Sequence, residues 1–593
     1  MPSNPQGPSV PLDRREFLGQ SVALTVGSAL APEEDEKLAR LFRAFLDEDF
    51  RRRPLEATRL GDHSHDHRLD DLSPQARQDH LRWVKAQMQT LEKNIAYPRL
   101  TRPAQIDYDI FRHHLRRSIW LAENTHPFEE DPRVYNEYLT ESVYLLLTQS
   151  TLPQATNVRH ALARMKALGH VVESARKTLT RPPRVFVETA LRQNRGAIAF
   201  YSSTIFQLAG ETPQLSELGE ACRKVVRLLQ QYHKFLEEDL LPRADGDWRL
   251  GAERFADKFE LDLDAGLTPD EVLREAEHEA ERVRSEMYVI ARQLWSRFFP
   301  RKALPPDDTV GRMHTVQAVL AQLAQDHGEP QHLVDEVRKT VDAIRAFIRE
   351  RDVLRLPEPD TCRIIEMPEF QRGHSVAYLN PAPPLDPKAS SYYAISPPPA
   401  EWDAQKVRSF LEEYNRYMLQ ILTIHEAYPG HYVQLEYANR HPSLVRRVLS
   451  SGVFAEGWAV YTEQMMLDEG YGRGDLGLRL HQLKFYLRAV INAILDRRMH
   501  TMRMTDKEAL DLLTRQGFQT EGEALGKIIR AKQSSCQLST YFVGRMAFQR
   551  LRRLVQRRQA QDFQLGRYHE AVLAHGTLPV KYLPELLGVA SAT

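Results

Sequence analysis

A helical stripe of apolar residues runs into a proline and a glycine set between two histidines. Val407, Phe410, Leu411, Tyr414, Met418, Ile421 and Leu422 recur at helical spacing. His425 lies five turns past Val407 on the same stripe, so it faces the interior. Glu426-Ala427-Tyr428-Pro429-Gly430-His431 comes next. Pro429 lacks an N–H and disrupts the helix before it. Gly430 accepts backbone angles closed to other residues. On a straight helix, residues six apart stand about 120° and ~9 Å from each other. A break at Pro429-Gly430 would swing His431 back toward His425.

Downstream, Val453, Glu456, Val460, Glu463 and Leu467 share one helical face. Acids on an apolar stripe are costly to bury without a cation or hydrogen bonds. Two histidines, a distant carboxylate and a second carboxylate directly after the first histidine are the residue types of a hydrolytic zinc site. Three ligands hold such a metal at about 2.0–2.2 Å and leave a fourth position for water. The extra glutamate removes a proton from that water. On this reading His425, His431 and Glu456 are Zn2+ ligands and Glu426 is the general base. Glu463 is a supporting or structural carboxylate rather than a ligand. The spacing departs from His-Glu-x-x-His, in which the histidines stand four apart on one helix face. The plain alternative, a kinked helix with core histidines and structural ion pairs, must account for four coincident residues.

The segment resembles a bacterial family known as domain of unknown function 885. Its members carry His-Glu-Ala-Tyr-Pro-Gly-His followed by Glu-Gly-Trp-Ala-x-Tyr-x-Glu, matched here by residues 425–431 and 456–463. Weaker similarities extend along the chain. Residues 54–61 and 69–73 are similar to the family's opening, and Asp496 to His500 resembles its Asp-Thr-Gly-Leu-His. Gln537 to Gly544 resembles Gln-Ala-Leu-x-Tyr-Lys-x-Gly, and Tyr568-His569 with Gly576-Thr577-Leu578-Pro579 matches the close. The resemblance implies a mostly helical, zinc-dependent, peptidase-like hydrolase, often exported. It adds His500 and Tyr541 as oxyanion donors, with Tyr461, Asp496 and Gln537 as supporting or substrate-binding residues. Asp496, four residues before His500, would orient its imidazole. Ser535-Cys536 departs from the family's Pro-Gly, Phe542 from its Lys, and Arg497-Arg498 from its Thr-Gly.

The rest of the chain frames that site. Residues 33–52 form an amphipathic pattern with Leu38, Leu41, Phe42, Phe45 and Leu46 inward, and long periodic stretches continue through 155–241 and 270–352. Prolines recur between about 355 and 400. There Cys362–Glu366 and Ser391–Ile395 read as strands of a small sheet or a linker hairpin beside the active-site helix. A sheet at this point would present an edge to an extended peptide. The expected fold is mainly α: a large, two-lobed, metallopeptidase-like helical fold. Its parts are a signal segment over 1–31, an N-terminal helical lobe over 32–250 and a catalytic lobe over 251–593. His63-Ser64-His65-Asp66-His67 reads as a solvated loop rather than a metal site.

Lys+Arg and Asp+Glu both number 80, so net charge provides no general drive toward nucleic acid. No central segment has the roughly 20 apolar residues of a membrane span. Asp13-Arg14-Arg15-Glu16-Phe17-Leu18, the apolar run from Ser21 and Ala29-Leu30-Ala31 resemble a twin-arginine export signal, placing the protein in the periplasm or outside the cell. Cys222, Cys362 and Cys536 are scattered and odd in number, which argues against a disulfide framework, and Cys536 reads as a packing residue. The expected activity is cleavage of a peptide or small amide. The alternatives are a zinc amidase or esterase on a small non-peptide substrate, and a non-catalytic binding protein on a peptidase scaffold.

Overall fold

The computed structural model describes residues 32–367, 377–399 and 402–589. The signal segment expected over 1–31 lies outside the described residues. The chain is mainly α with one small sheet among the described residues. Its first helix spans Glu33–Arg52, as the periodicity predicts, and buries Leu38, Phe42, Phe45 and Leu46.

Apolar packing divides the helices into two cores. Pro132–Thr148, Gln154–Thr178, Arg184–Ala199 and Leu215–Lys234 enclose a smaller one around Tyr135, Leu168, Tyr201 and Tyr232. The larger core joins the first helices, through Leu38 and Phe111, to everything beyond Phe255. A single cut near residue 250 therefore does not separate the cores. The N-terminal segment packs under the C-terminal one, and its Asp107 receives the Arg446 Nε–H at 2.6 Å.

Seven helices and a sheet surround the region of interest. They are α1 (Pro269–Phe298), α2 (Arg416–Glu426), α3 (His431–Asn439), α4 (Gly452–Asp468), α5 (Leu476–Thr501), α6 (Glu521–Gln533) and α7 (Thr540–Gln559). Strands β1 (Cys362–Glu366), β2 (Ala377–Asn380) and β3 (Ser391–Ile395) lie in the order β1-β3-β2. β1 runs parallel to β3, with Ile364 opposite Tyr393, and β2 runs antiparallel, with Leu379 opposite Tyr393. The two strands read from sequence are present. β2 is too short for an alternation signal.

Two expectations change. The stripe from Val407 is not one helix: Ala404–Glu413 ends at Tyr414, and α2 starts afresh behind Asn415. The Asn415 side chain accepts from the N–H groups of Tyr417 and Met418, an N-cap that stabilises a new start. The phase survives the break, and His425 is buried. The histidine-rich loop is only partly solvated: Ser64 and His67 are exposed, but Asp66 and His63 turn inward. His63 is half-buried between Asp66, at 2.8 Å, and Asp386, at 3.3 Å. Asp66 is fully buried and also accepts from Thr58. The partner that makes this loop structural lies 323 residues away, beyond any local pattern.

α4 and α7 meet backbone to backbone. A Cβ added to Gly457 would stand 2.3 Å from the Gly544 Cα, and one added to Gly544 would stand 2.0 Å from the Val453 carbonyl oxygen. Small residues here set the depth of α4 in the core. Gly457→Ala should force the helices apart, at the ~1–3 kcal/mol or more typical of overpacking. Thermal melting checks this, and an unchanged melting temperature would show that the contact is compliant.

Candidate metal centre

The site starts from the helix break. α2 ends at Glu426 and α3 begins at His431. A Cβ on Gly430 would lie 1.9 Å from the His425 carbonyl oxygen, so only glycine allows the chain to fold back this tightly. The Trp458 indole N–H of α4 donates to the Pro429 carbonyl at 2.9 Å. Asp360 accepts from the hydroxyls of Tyr428, at 2.8 Å, and Tyr432, at 2.9 Å, and pairs with Arg345 at 3.0 Å. The corner is thus held from both sides. Its result is that the two imidazole rings lie only 4.8 Å apart, centre to centre.

Glu456 on α4 completes the cluster. Its Oε2 lies 3.3 Å from His431 Nε2 and 3.8 Å from His425 Nε2. One ligand atom from each residue falls within 4.8 Å of the others. Tetrahedral bonds of about 2.0–2.2 Å hold neighbouring ligand atoms roughly 3.3–3.5 Å apart; the donor types fit a three-ligand zinc site, and the two carboxylate–imidazole distances lie close to that spacing. Glu463, about two turns further along the same face of α4, accepts at 2.7 Å from His425 Nδ1. That bond fixes the imidazole and turns Nε2 toward Glu456. Carboxylates behind metal-binding histidines do the same in metalloproteins. Glu426 faces the same space, and its Oε2 accepts from the Leu379 N–H of β2 at 3.2 Å.

The electrostatics suit a cation. Burial, then the neighbouring His431, push His425 down to about 3, so it is neutral. Burial raises Glu456, but the hydrogen bond and charge of His431 outweigh it and hold the carboxyl down to about 2. Burial lowers His431, yet its bond to Glu456 raises it on balance. Burial pushes Glu426 up to about 7, the range of a general base. Glu463 is wholly buried and raised well above the usual carboxylate range by that burial.

The other predicted residues divide. Tyr541 lines the cavity with His425 and Glu426. Its hydroxyl accepts from Arg530 at 2.9 Å and from the Gln537 amide at 3.3 Å, which leaves its own proton for Glu456 or a ligand. Gln537 is therefore a support of Tyr541. Tyr461 is not at the cluster: it points into the core, where its hydroxyl meets His569 Nε2 at 2.8 Å. His500 is also turned away. Its Nε2–H donates to the carbonyls of Ser534, at 2.8 Å, and Ala531, at 3.0 Å, closing the end of α6 between Trp248 and Phe255. Asp496 does not orient His500 by a hydrogen bond. It accepts instead from the Cys536 N–H at 2.9 Å and from Ser539 Oγ at 2.8 Å. Cys536 is buried at φ 67, the left-handed region that the family's Pro-Gly would occupy without strain. Arg488, Lys527 and Arg530 line the cavity as well. A cation every few residues on an amphipathic helix carries no signal in sequence.

Fold and site together define a mainly helical protein with a His-His-Glu cluster behind a broken helix. The chain belongs to the family described as bacterial protein of unknown function (DUF885), whose model matches residues 54–587. It is similar to a solved structure from Shewanella oneidensis, a "putative lipoprotein of unknown function". That similarity is 30% in sequence with TM-score 0.76, over 93% of this chain and 99% of that one. A second such lipoprotein, from Colwellia psychrerythraea, shares the fold at 18% identity and TM-score 0.70, over 94% of this chain and 99% of that one. No curated protein matches the chain.

His500→Phe should leave the Ser534 and Ala531 carbonyls without a donor and destabilise the fold by about 1–3 kcal/mol. Denaturant unfolding measures this. Full stability in the variant would show that water satisfies both carbonyls.

Proposed function

We propose that the protein is a zinc-dependent hydrolase that cleaves peptide bonds. The observation that carries this reading is the approach of His425, His431 and Glu456 to within 4.8 Å across a helix break, with Glu426 beside them. A zinc ion bound there would supply an acidified water and a positive partner for the scissile carbonyl oxygen. The protein's own residues do the rest. Glu426, raised toward neutrality by burial, takes a proton from the attacking water. The new bond joins the water oxygen to the carbonyl carbon. The Tyr541 hydroxyl donates to the oxyanion as the C–N bond lengthens. Glu426 then returns its proton to the leaving amine, so water is consumed and an acid and an amine are released.

An exported or envelope location is part of the same proposal. The lipoprotein names of the two similar structures support it, as does the twin-arginine-like start. No helix among the described residues is long and apolar enough to cross a membrane.

The metal is tested first. The purified protein should hold about one zinc per chain. His431→Ala should lose it. Glu463→Gln should keep the stoichiometry and weaken affinity by about 10–100-fold, the usual effect of removing a carboxylate behind a histidine. Elemental analysis and competition with a chelator measure both. Full zinc occupancy in His431→Ala would sink the ligand assignment.

The base is tested separately. Glu426→Gln should retain zinc and lose kcat by about 10²–10⁴-fold on any peptide the wild type cleaves. A variant with near wild-type turnover would remove Glu426 from the chemistry.

A further inference from the structure

The cavity beside the cluster holds about 190 Å³, less than the roughly 300–1,000 Å³ of common ligand clefts. His425, Glu426 and Glu463 line it together with Arg488, Lys527, Arg530 and Tyr541. The three basic residues are not equivalent. Arg488 is spent: its guanidinium pairs with Glu523 at 3.0 Å, and Glu523 also accepts from the Tyr414 hydroxyl at 2.8 Å. Arg530 meets only neutral acceptors, Gln537 Oε1 and the Tyr541 hydroxyl, both at 2.9 Å. Lys527 is 5% exposed and has neither an ion pair nor a hydrogen bond among the described residues.

A buried ammonium without a partner is expensive. Burial, then Arg488 and Arg530, push Lys527 well below the usual lysine range, and Glu523 and Glu456 offset only part of this. Glu523 is already shared by Arg488 and Tyr414. A metal at the cluster would take up the Glu456 carboxylate. Lys527 and Arg530 stand three apart on α6, so their side chains share one face of the helix. The pair lines the same cavity as the base, yet forms no ion pair among the described residues.

We propose that Lys527 and Arg530 receive a carboxylate of the substrate next to the bond that is cut. This rests on the hydrolase reading above and narrows it to peptides that present an acid beside the scissile bond. That acid is either the terminal α-carboxylate or an Asp or Glu side chain. Arg530 offers its remaining N–H donors and Lys527 an amine that an incoming anion would hold in its charged form, a combination suited to one small planar anion. The size of the cavity restricts the substrate beyond the cut bond to a short segment.

Two experiments on the full, zinc-loaded chain separate this proposal from the one it rests on. In the first, acetyl-capped short-peptide mixtures are compared with free carboxyl ends and with amidated ends, each carrying Glu or Gln after the cleaved bond. The wild type should prefer one acid form by roughly tenfold or more in kcat/KM, the scale of a hydrogen bond to a charged group. Preference for free ends names the α-carboxylate, and preference for Glu names the side chain. Lys527→Met and Arg530→Gln should each move the acid-to-neutral ratio toward one. In the second, acetyl-alanine and acetyl-alaninamide are titrated by calorimetry into Glu426→Gln. Tighter binding of the acid, lost on adding Lys527→Met, would uphold the carboxylate site even if no peptide is cleaved, in which case only the hydrolase reading fails. Equal rates and equal binding for acid and neutral forms would overturn the proposal. So would Lys527→Met or Arg530→Gln lowering both forms in the same proportion.

Discussion

Carboxyl groups held away from water are the constraint around which this structure is arranged. Glu426, Glu456 and Glu463 converge on two histidines in the interior of a helical protein. Carboxylates in that setting demand cations or a dense set of donors. The histidines answer part of the demand through the Glu463–His425 and Glu456–His431 contacts. Leu379 of β2 answers another part by donating to Glu426. The helix break, the glycine-tight crossing of α4 on α7 and the tyrosine cradle at Asp360 all serve to bring these groups to one point. The arrangement gathers three carboxyl groups and two imidazoles at one point, with a geometry set by backbone that side chains cannot crowd.

Much of that cluster is legible in the chain itself. Pro429-Gly430 between two histidines announces the corner, because no regular helix passes through that pair. The seven-residue interval from Glu456 to Glu463 puts both acids on one face of α4. Their different roles come from depth. The side chain of Glu456 retains partial exposure, whereas that of Glu463 has none. Periodicity also fixes the first helix and the apolar phase of His425.

What stayed hidden was decided by distant partners. His500 and Tyr461 sit on helices that do touch the centre, but each side chain turns to the donor or acceptor it meets on the far side. For His500 this is the end of α6, and for Tyr461 it is His569. Asp496 turns to the Cys536 to Ser539 corner rather than to its own helix neighbour. His63 looks like a surface residue until Asp386 comes beside it. Lys527 is ordinary by composition and position, and only the packed structure shows it enclosed without a counter-charge. Local pattern reads which face of a helix is buried. It does not read which polar group waits there.

The larger core has a consequence for how the chain comes to exist. Its members begin at Leu38 and end at Leu583, with Arg446 bound to Asp107 and Arg102 to Glu585 across that span. Tyr461, behind the cluster, rests on His569. During synthesis the first helices must wait, with their apolar faces uncovered, until nearly all the remaining chain has been made. Closure over such sequence separations is slow and leaves surface open to wrong partners. Helices whose apolar partners lie so far along the chain cannot be covered before those partners exist, which makes the larger core late to close.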